Sequence, residues 1–238
     1  MKHVRLYQNT HLQIGSTIIL DEYGYHHLVK VLRFPQGKDI TLFNGDGKNY
    51  YSKVVNVKKH CEVVVHSCEK NHSESKLKIT LAQGIAKGEK MDFLIQKAVE
   101  LGVSKIVPIM SERCVVKLKG EKLVKRNMHW QKVIIGASEQ SGRSTIPDLL
   151  DTITLDEFVN TDITNGIVLH HQAEVSLLDI KPMREATIII GPEGGLTSAE
   201  IDSTIKSGCI AITLGQRVLR TETASLAAIA NLQLLWGG

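Results

Sequence analysis

Long apolar runs are missing from this chain. Nowhere in its 238 residues does a stretch approach the roughly 20 consecutive apolar residues of a membrane span. The opening Met1-Lys-His-Val-Arg5 has no signal-peptide core. The expectation is a cytoplasmic protein with no membrane partner. Cysteine is scarce as well. Cys61, Cys68, Cys114 and Cys209 are scattered without zinc or redox spacing, so no metal site is expected and the thiols are read as reduced and partly buried. Two nucleotide signatures are also absent. Gly191-Pro-Glu-Gly-Gly195 does not follow the G-x-G-x-x-G order, and the strand Ile210–Leu214 runs into Gly215 and Arg217 with no carboxylate placed to hold a ribose. No Gly-Lys-Ser/Thr occurs at the end of a glycine-rich loop, which excludes a P-loop.

What is present is concentrated in the last quarter. Thr187-Ile-Ile-Ile-Gly-Pro-Glu-Gly-Gly195 and Leu214-Gly-Gln-Arg-Val-Leu-Arg-Thr-Glu-Thr-Ala224 each read as a buried strand, a glycine-bearing turn and a helix. Glycine lets bare backbone N–H and C=O groups approach a ligand. Two such turns, the second ending at Arg220, Thr221 and Glu222, point to a small-molecule pocket beside a charged reaction centre. The alternative for the first turn is a tight strand-to-helix connection, because Thr197 and Glu200 have the capping-box spacing.

Hydrophobic content of 42% with 23% charged residues is that of an ordinary globular protein. Charge is placed unevenly: residues 1–72 carry ten Lys/Arg against six Asp/Glu, and 73–238 carry nineteen of each. The formal excess of +4 therefore sits in the first 72 residues, which suggests contact with a polyanion. That segment reads as short strands between turns, over Ser16–Leu20, Asp39–Phe43, Tyr50–Val57 and Cys61–His66, with Asn44-Gly-Asp-Gly47 as turn dipeptides. His26–Arg33 reads instead as a short helix. The expectation is a small barrel-like β domain, 1–72, followed by a polar linker over Lys70–Lys76.

Beyond it, strands and helices alternate. Leu77–Ala82, Lys105–Met110, Ile167–His170, Thr187–Ile190 and Ile210–Leu214 read as strands. Lys90–Leu101 places Met91, Leu94, Ile95, Ala98 and Val99 at helical spacing before Gly102, and Leu123–Gln140 reads as a long helix. This pattern predicts an α/β domain, 73–238, with a mostly parallel sheet and ligands at the strands' carboxyl ends.

In this order the motifs resemble the RsmE-type ribosomal RNA methyltransferases of the SPOUT superfamily. The residues that carry the likeness are Arg5, His26–Arg33, Lys87-Gly-Glu-Lys-Met91, Gln96-Lys-Ala-Val-Glu-Leu-Gly-Val103, Ser111-Glu-Arg113, Glu139-Gln-Ser-Gly-Arg143 with Pro147, and the two glycine turns. His170-His-Gln-Ala173 is a loose version of the loop expected there, and the chain stops at Trp236-Gly-Gly. The resemblance implies a carboxyl-terminal trefoil-knot domain holding S-adenosylmethionine, a PUA-like RNA-binding barrel before it, and a homodimer. It implies methylation of uracil N3 in 16S ribosomal RNA of the small subunit. Two alternatives stay open: another RNA position (a transfer-RNA base or a ribose 2′-hydroxyl), or a non-catalytic RNA-binding assembly factor.

Methyl transfer to a ring nitrogen is an in-line displacement that must also relieve uracil of its N3 proton. For the cofactor the resemblance assigns Leu169 and His170; Ile190, Gly191, Pro192, Glu193, Gly194 and Gly195; and Leu214, Gly215, Val218, Leu219, Arg220 and Thr223. Arg220 is the first catalytic candidate, placed to stabilise charge growing on uracil, with a structural salt bridge as the alternative. Glu222 and Glu139 follow; the helix dipole or a bracing pair of Glu139 with Arg143 would explain them otherwise. No general base stands out, although His170 and His171 titrate in the right range. The stretch 113–143 has eight basic residues against Glu121 and Glu139. Arg113, Lys125, Arg126 and Arg143 from it, with Arg5 and Arg33, are the expected RNA contacts.

Overall fold

The computed structural model describes residues 4–238 and divides the chain into two compact units. One comprises the chain up to Glu74 together with Ser138–Ile146; the other is Ser75–Ala137 with Pro147–Gly238.

In the first unit, β1 (Arg5–Tyr7), β2 (Thr17–Ile19), β3 (Asp39–Phe43), β4 (Lys48–Asn56) and β5 (Glu62–Lys70) form one sheet in the order β1-β3-β4-β5-β2. Only β1 and β3 run parallel; the other pairs are antiparallel. Alternate residues of β4 and β5 turn inward, so Val54, Val63 and Val65 join Leu6, Leu28, Ile40 and Leu42 in one core. The helix foreseen at His26–Arg33 starts earlier. Asp21 caps α1 (Glu22–Tyr25) by accepting the Gly24 N–H at 2.7 Å, and a π-helical turn over His26–Val31 continues it. Arg33 ends the segment with a left-handed φ of 49°.

Lys70–Lys76 is no slack linker. The Asn71 amide donates to the Gly142 carbonyl at 2.7 Å and to Ser144 Oγ at 2.8 Å, anchoring the stretch within its own unit. A polar side chain reads as solvated in sequence, yet this one has fixed partners.

In the second unit, β6 (Lys78–Gly84), β7 (Lys105–Met110), β8 (Asp148–Leu149), β9 (Ile153–Thr154), β10 (Gly166–Leu169), β11 (Glu185–Ile190) and β12 (Ile210–Ile212) build a sheet in the order β12-β10-β11-β6-β7-β8, with β9 also on β7. Every pairing is parallel. The helices are α2 (Glu89–Glu100), α3 (Gly120–Ser141), α4 (Leu155–Val159), α5 (Ser198–Lys206) and α6 (Thr221–Trp236). The fold is thus α/β with a parallel sheet, as the strand–helix alternation predicted. The five apolar residues expected to face inward on α2 are all buried, and Gly102 stops the helix at φ 90°. The Thr197–Glu200 capping box is present at α5. The short elements β8, β9 and α4 had no counterpart in the sequence reading, since two-residue strands carry no period.

Gly84 ends β6 where the chain after β11 passes close by. A Cβ there would lie 2.4 Å from the Pro192 nitrogen. Backbone cannot yield as a flexible side chain can. Gly84→Ala should therefore destabilise the protein by about 1–3 kcal/mol in urea unfolding, as overpacking does.

Candidate functional site

Three loops leave the carboxyl ends of β10, β11 and β12, which are neighbours in the sheet although not consecutive in the chain. They enclose a cavity of about 420 Å³, within the range of small-molecule sites. Its walls are Leu169–Gln172 from the first loop, Ile190–Leu196 from the second, and Ile212–Gly215 with Arg217–Leu219 from the third. Arg113, Ser198, Ile201, Thr221 and Ala224 complete it.

Glycine shapes this cavity through different physics at each position. At Gly191 a Cβ would sit 2.7 Å from the Gly195 carbonyl carbon, so the loop folds back on itself only without a side chain. Gly195 has open space around it, but its φ of +68° is left-handed. Backbone polar groups are therefore exposed beside the apolar chains of Ile190, Leu196, Leu214 and Leu219.

Hydrogen bonds to neighbouring segments hold the loops. Arg113 Nη1 donates to the Gly194 carbonyl at 3.1 Å and to that of Leu196 at 3.5 Å. Glu193 Oε1 accepts the Lys87 N–H at 3.0 Å and lies 3.7 Å from Lys90 Nζ. Burial alone would raise the Glu193 carboxyl, but the Lys87 N–H and the Lys90 ammonium hold it below the usual carboxylate range. Glu200, besides closing its capping box, accepts the Glu112 N–H at 2.7 Å. Beneath the loops, buried Gln83 donates to Thr221 Oγ1 at 3.0 Å and accepts from Ser225 Oγ at 2.6 Å. Thr221 Oγ1 in turn donates to the Gly191 carbonyl at 2.6 Å.

Every residue expected at the cofactor lines the cavity except Arg220 and Thr223. Helical geometry gives the reason. Thr221 and Ala224, three residues apart, share the face of α6 turned to the cavity, while Arg220 and Thr223 are exposed. Arg113 moves the other way: expected at RNA, its guanidinium clamps the second loop. No sequence signal marks this role, because a surface arginine reads the same whatever it holds. Ser198, Ile201 and Thr213 were also missed, lacking any motif.

The remaining candidates lie apart from the cavity walls. Arg143 is buried and ion-paired with Glu74 at 2.7 Å. Arg5 is likewise engaged, donating to Asn49, Ser144 and the Arg143 carbonyl, with its guanidinium 5.1 Å over the Phe43 ring. Arg33 and Lys125 are exposed; Arg126 is half-buried, 3.9 Å from Asp92. Glu139, in the last turn of α3, belongs to the first unit. Its Oε1 accepts the Tyr7 N–H at 2.9 Å, and its Oε2 is 3.4 Å from the Tyr23 hydroxyl. Burial pushes its carboxyl up to about 7, against those two hydrogen bonds. Glu222 is half-buried, and its Oε2 is shielded from solvent with no hydrogen-bond partner. Among the described residues no cluster of three or more His, Cys, Asp or Glu could hold a metal, and no helix is long and apolar enough to cross a membrane.

An RNA methyltransferase domain model matches residues 73–233, and an RNA methyltransferase PUA domain model matches 20–65. Ribosomal RNA small subunit methyltransferase E of Buchnera aphidicola from Schizaphis graminum is 35% identical over 98% of this chain and 96% of its own length. Its Bacillus subtilis namesake is 32% identical, covering 87% and 86%. Among solved structures, a Legionella pneumophila methyltransferase in complex with bound S-adenosylmethionine superposes with TM-score 0.97 at 40% identity, covering 100% of both chains. Ribosomal RNA small subunit methyltransferase E of Neisseria gonorrhoeae, bound to S-adenosylmethionine, gives TM-score 0.93 at 39% identity, covering 99% and 98%.

Two predictions follow from the loop geometry. Gly191→Ala should abolish S-adenosylmethionine binding in calorimetry, whereas Gly195→Ala should cost only the left-handed strain, about 1–2 kcal/mol of stability. Arg113→Ala should weaken that binding about 3- to 10-fold, as loss of a loop-positioning hydrogen bond does. A third concerns Glu139. Its folded carboxyl holds a proton to higher pH than the unfolded one, so folding binds protons between about 4.5 and about 7. Stability should fall by roughly 1–3 kcal/mol as pH rises through that window, and Glu139→Gln should remove the decline.

Proposed function

The chain belongs to the RNA methyltransferase family, with the ribosomal RNA small subunit methyltransferases E, and we propose that it methylates N3 of a uridine in 16S ribosomal RNA. The observation that carries this reading is the three-loop cavity, whose form suits S-adenosylmethionine. Apolar walls can sandwich an adenine, bare backbone groups can read its edge and the ribose, and glycines leave the room. When bound, this cofactor supplies a methyl group on a sulfonium.

The chain's own residues supply the rest. Leu169, Ile190, Leu214 and Leu219 would hold the cofactor's base, and the Gly191–Gly195 backbone would help fix its position for the displacement. Arg220 is exposed immediately before α6, where its guanidinium can reach an RNA base and stabilise negative charge on uracil oxygen as N3 loses its proton. Glu222 offers an oxygen that is buried and unpartnered. An acceptor kept dry this way suits an N–H brought by the substrate. The exposed Lys117, Lys119, Lys122 and Lys125 suit phosphate contacts. A homodimer in the cytoplasm accords with α6, whose Leu234 and Leu235 remain exposed at its end.

The test is transfer of labelled methyl from S-adenosylmethionine to small ribosomal subunits, with the product nucleoside identified by mass spectrometry. N3-methyluridine in 16S RNA is expected. Label in transfer RNA, or on a ribose hydroxyl, would favour the other targets. Arg220→Ala should lower the rate roughly 100-fold or more with cofactor affinity unchanged, and Arg220→Lys should restore little, since an ammonium does not reproduce the planar fork.

A further inference from the structure

The amino-terminal unit carries an aromatic pair that methyl transfer does not use. Tyr23 on α1 and His27 in the following π turn lie face to face, with ring centroids 6.0 Å apart and planes 5° apart. The unit's other described tyrosines and phenylalanines are half-buried or buried. Tyr7 tilts onto Phe43 at 5.7 Å, Tyr50 is buried, and Lys30 Nζ lies 5.7 Å from the Tyr25 ring centre. Tyr23 alone among the unit's described tyrosines is exposed, at 47%. Its outer face is a flat apolar surface in water.

The surroundings of that face are specific. The phenol hydroxyl end meets Glu139 Oε2 at the surface, at 3.4 Å. That oxygen has only this long contact, while Oε1 is held by the Tyr7 N–H at 2.9 Å. The carboxyl is thus fixed at one end and open at the other. His26, Lys30 and Arg33, on the same short segment, are exposed and basic. A stacking face, an acceptor at its edge and cations alongside are what an unpaired nucleotide recognises. An apolar peptide would need a groove, which a single exposed ring does not make.

We propose that Tyr23 and His27 form a stacking platform for one unpaired base of single-stranded RNA, with Glu139 accepting a hydrogen from that base's exocyclic amino group. The inference rests on RNA as the substrate and adds a base-reading site in the amino-terminal unit. Every base has a π face, so stacking supplies affinity. The open Oε2 supplies preference, as an acidic side chain does when it accepts from the cytosine amino group.

The test uses the full chain and fluorescent oligocytidine, with an N4,N4-dimethylcytidine oligomer that stacks but has no amino hydrogen. Tyr23→Ala should weaken oligocytidine binding about 10-fold or more, and Tyr23→Phe should keep most of the affinity, because the ring carries the stacking. Wild type should prefer oligocytidine to the dimethyl oligomer, and Glu139→Leu should erase that preference. Glu139→Gln, which keeps an acceptor oxygen in place, should retain the preference, so its loss in Glu139→Leu is not a failure to fold. Cofactor affinity should be unchanged throughout. Undiminished binding by Tyr23→Ala, or equal wild-type binding of the two oligomers, overturns the platform. A wild-type chain that binds no RNA at all would count instead against the ribosomal RNA reading.

Discussion

The buried amide of Gln83 is the joint on which the site depends. It sits at the end of β6 and is fully buried, where an unpaired amide would cost several kcal/mol. Its nitrogen reaches Thr221 and the Gly84 carbonyl, and its oxygen takes the Ser225 hydroxyl. Thr221 passes the connection on to Gly191. The amide therefore ties the sheet to the second cavity loop and to the first turn of α6. Replacing it with an apolar side chain of similar size would break the link from β6 to both hydroxyls, leaving Thr221 only the Gly191 carbonyl and Ser225 only the Thr221 carbonyl as partners. The loop's shape and the helix's start are one structural decision.

Around that joint the glycine loop is fastened at its rim. Arg113 takes two of its carbonyls, and Glu193 reaches across to the start of α2. Such bonds add little to global stability, because both groups are half in water. Their effect is on geometry. A loop without side chains at Gly191, Gly194 and Gly195 has large conformational freedom to lose, and a ligand that had to order it would bind more weakly. The ordering is done in advance by hydrogen bonds within the protein.

Much of this was legible in the sequence, and the limits have physical reasons. The strands β7 and β11 and helix α2 have strong periods and clear stops, so they could be read to within two residues. The glycine turns announced the cavity because their residues are there for backbone reasons alone. The side of α6 that faces the cavity was harder. The resemblance assigned Arg220 and Thr223, whereas the 3.6-residue period turns Thr221 and Ala224 inward. Arg143 and Arg5 read as phosphate ligands in sequence, and their partners Glu74 and Ser144 could not be seen because they are far away in the chain. Charge density along a sequence does not distinguish a cation in solvent from one folded against a carboxylate.

The amino-terminal unit also has a consequence in time. Its strands end by Lys70, but it includes Ser138–Ile146, which carry Glu139 and the arginine that pairs with Glu74. A ribosome adding about 5–20 residues per second needs roughly 4–15 seconds to make the chain between Glu74 and Ile146. Throughout that interval the nascent unit has its strands but lacks the segment that completes it. Its folding is then a two-part event, in which the early sheet must persist without misassociating until the later segment arrives. Selection on residues 138–146 therefore acts on the maturation of the first unit as well as on the helix that contains them.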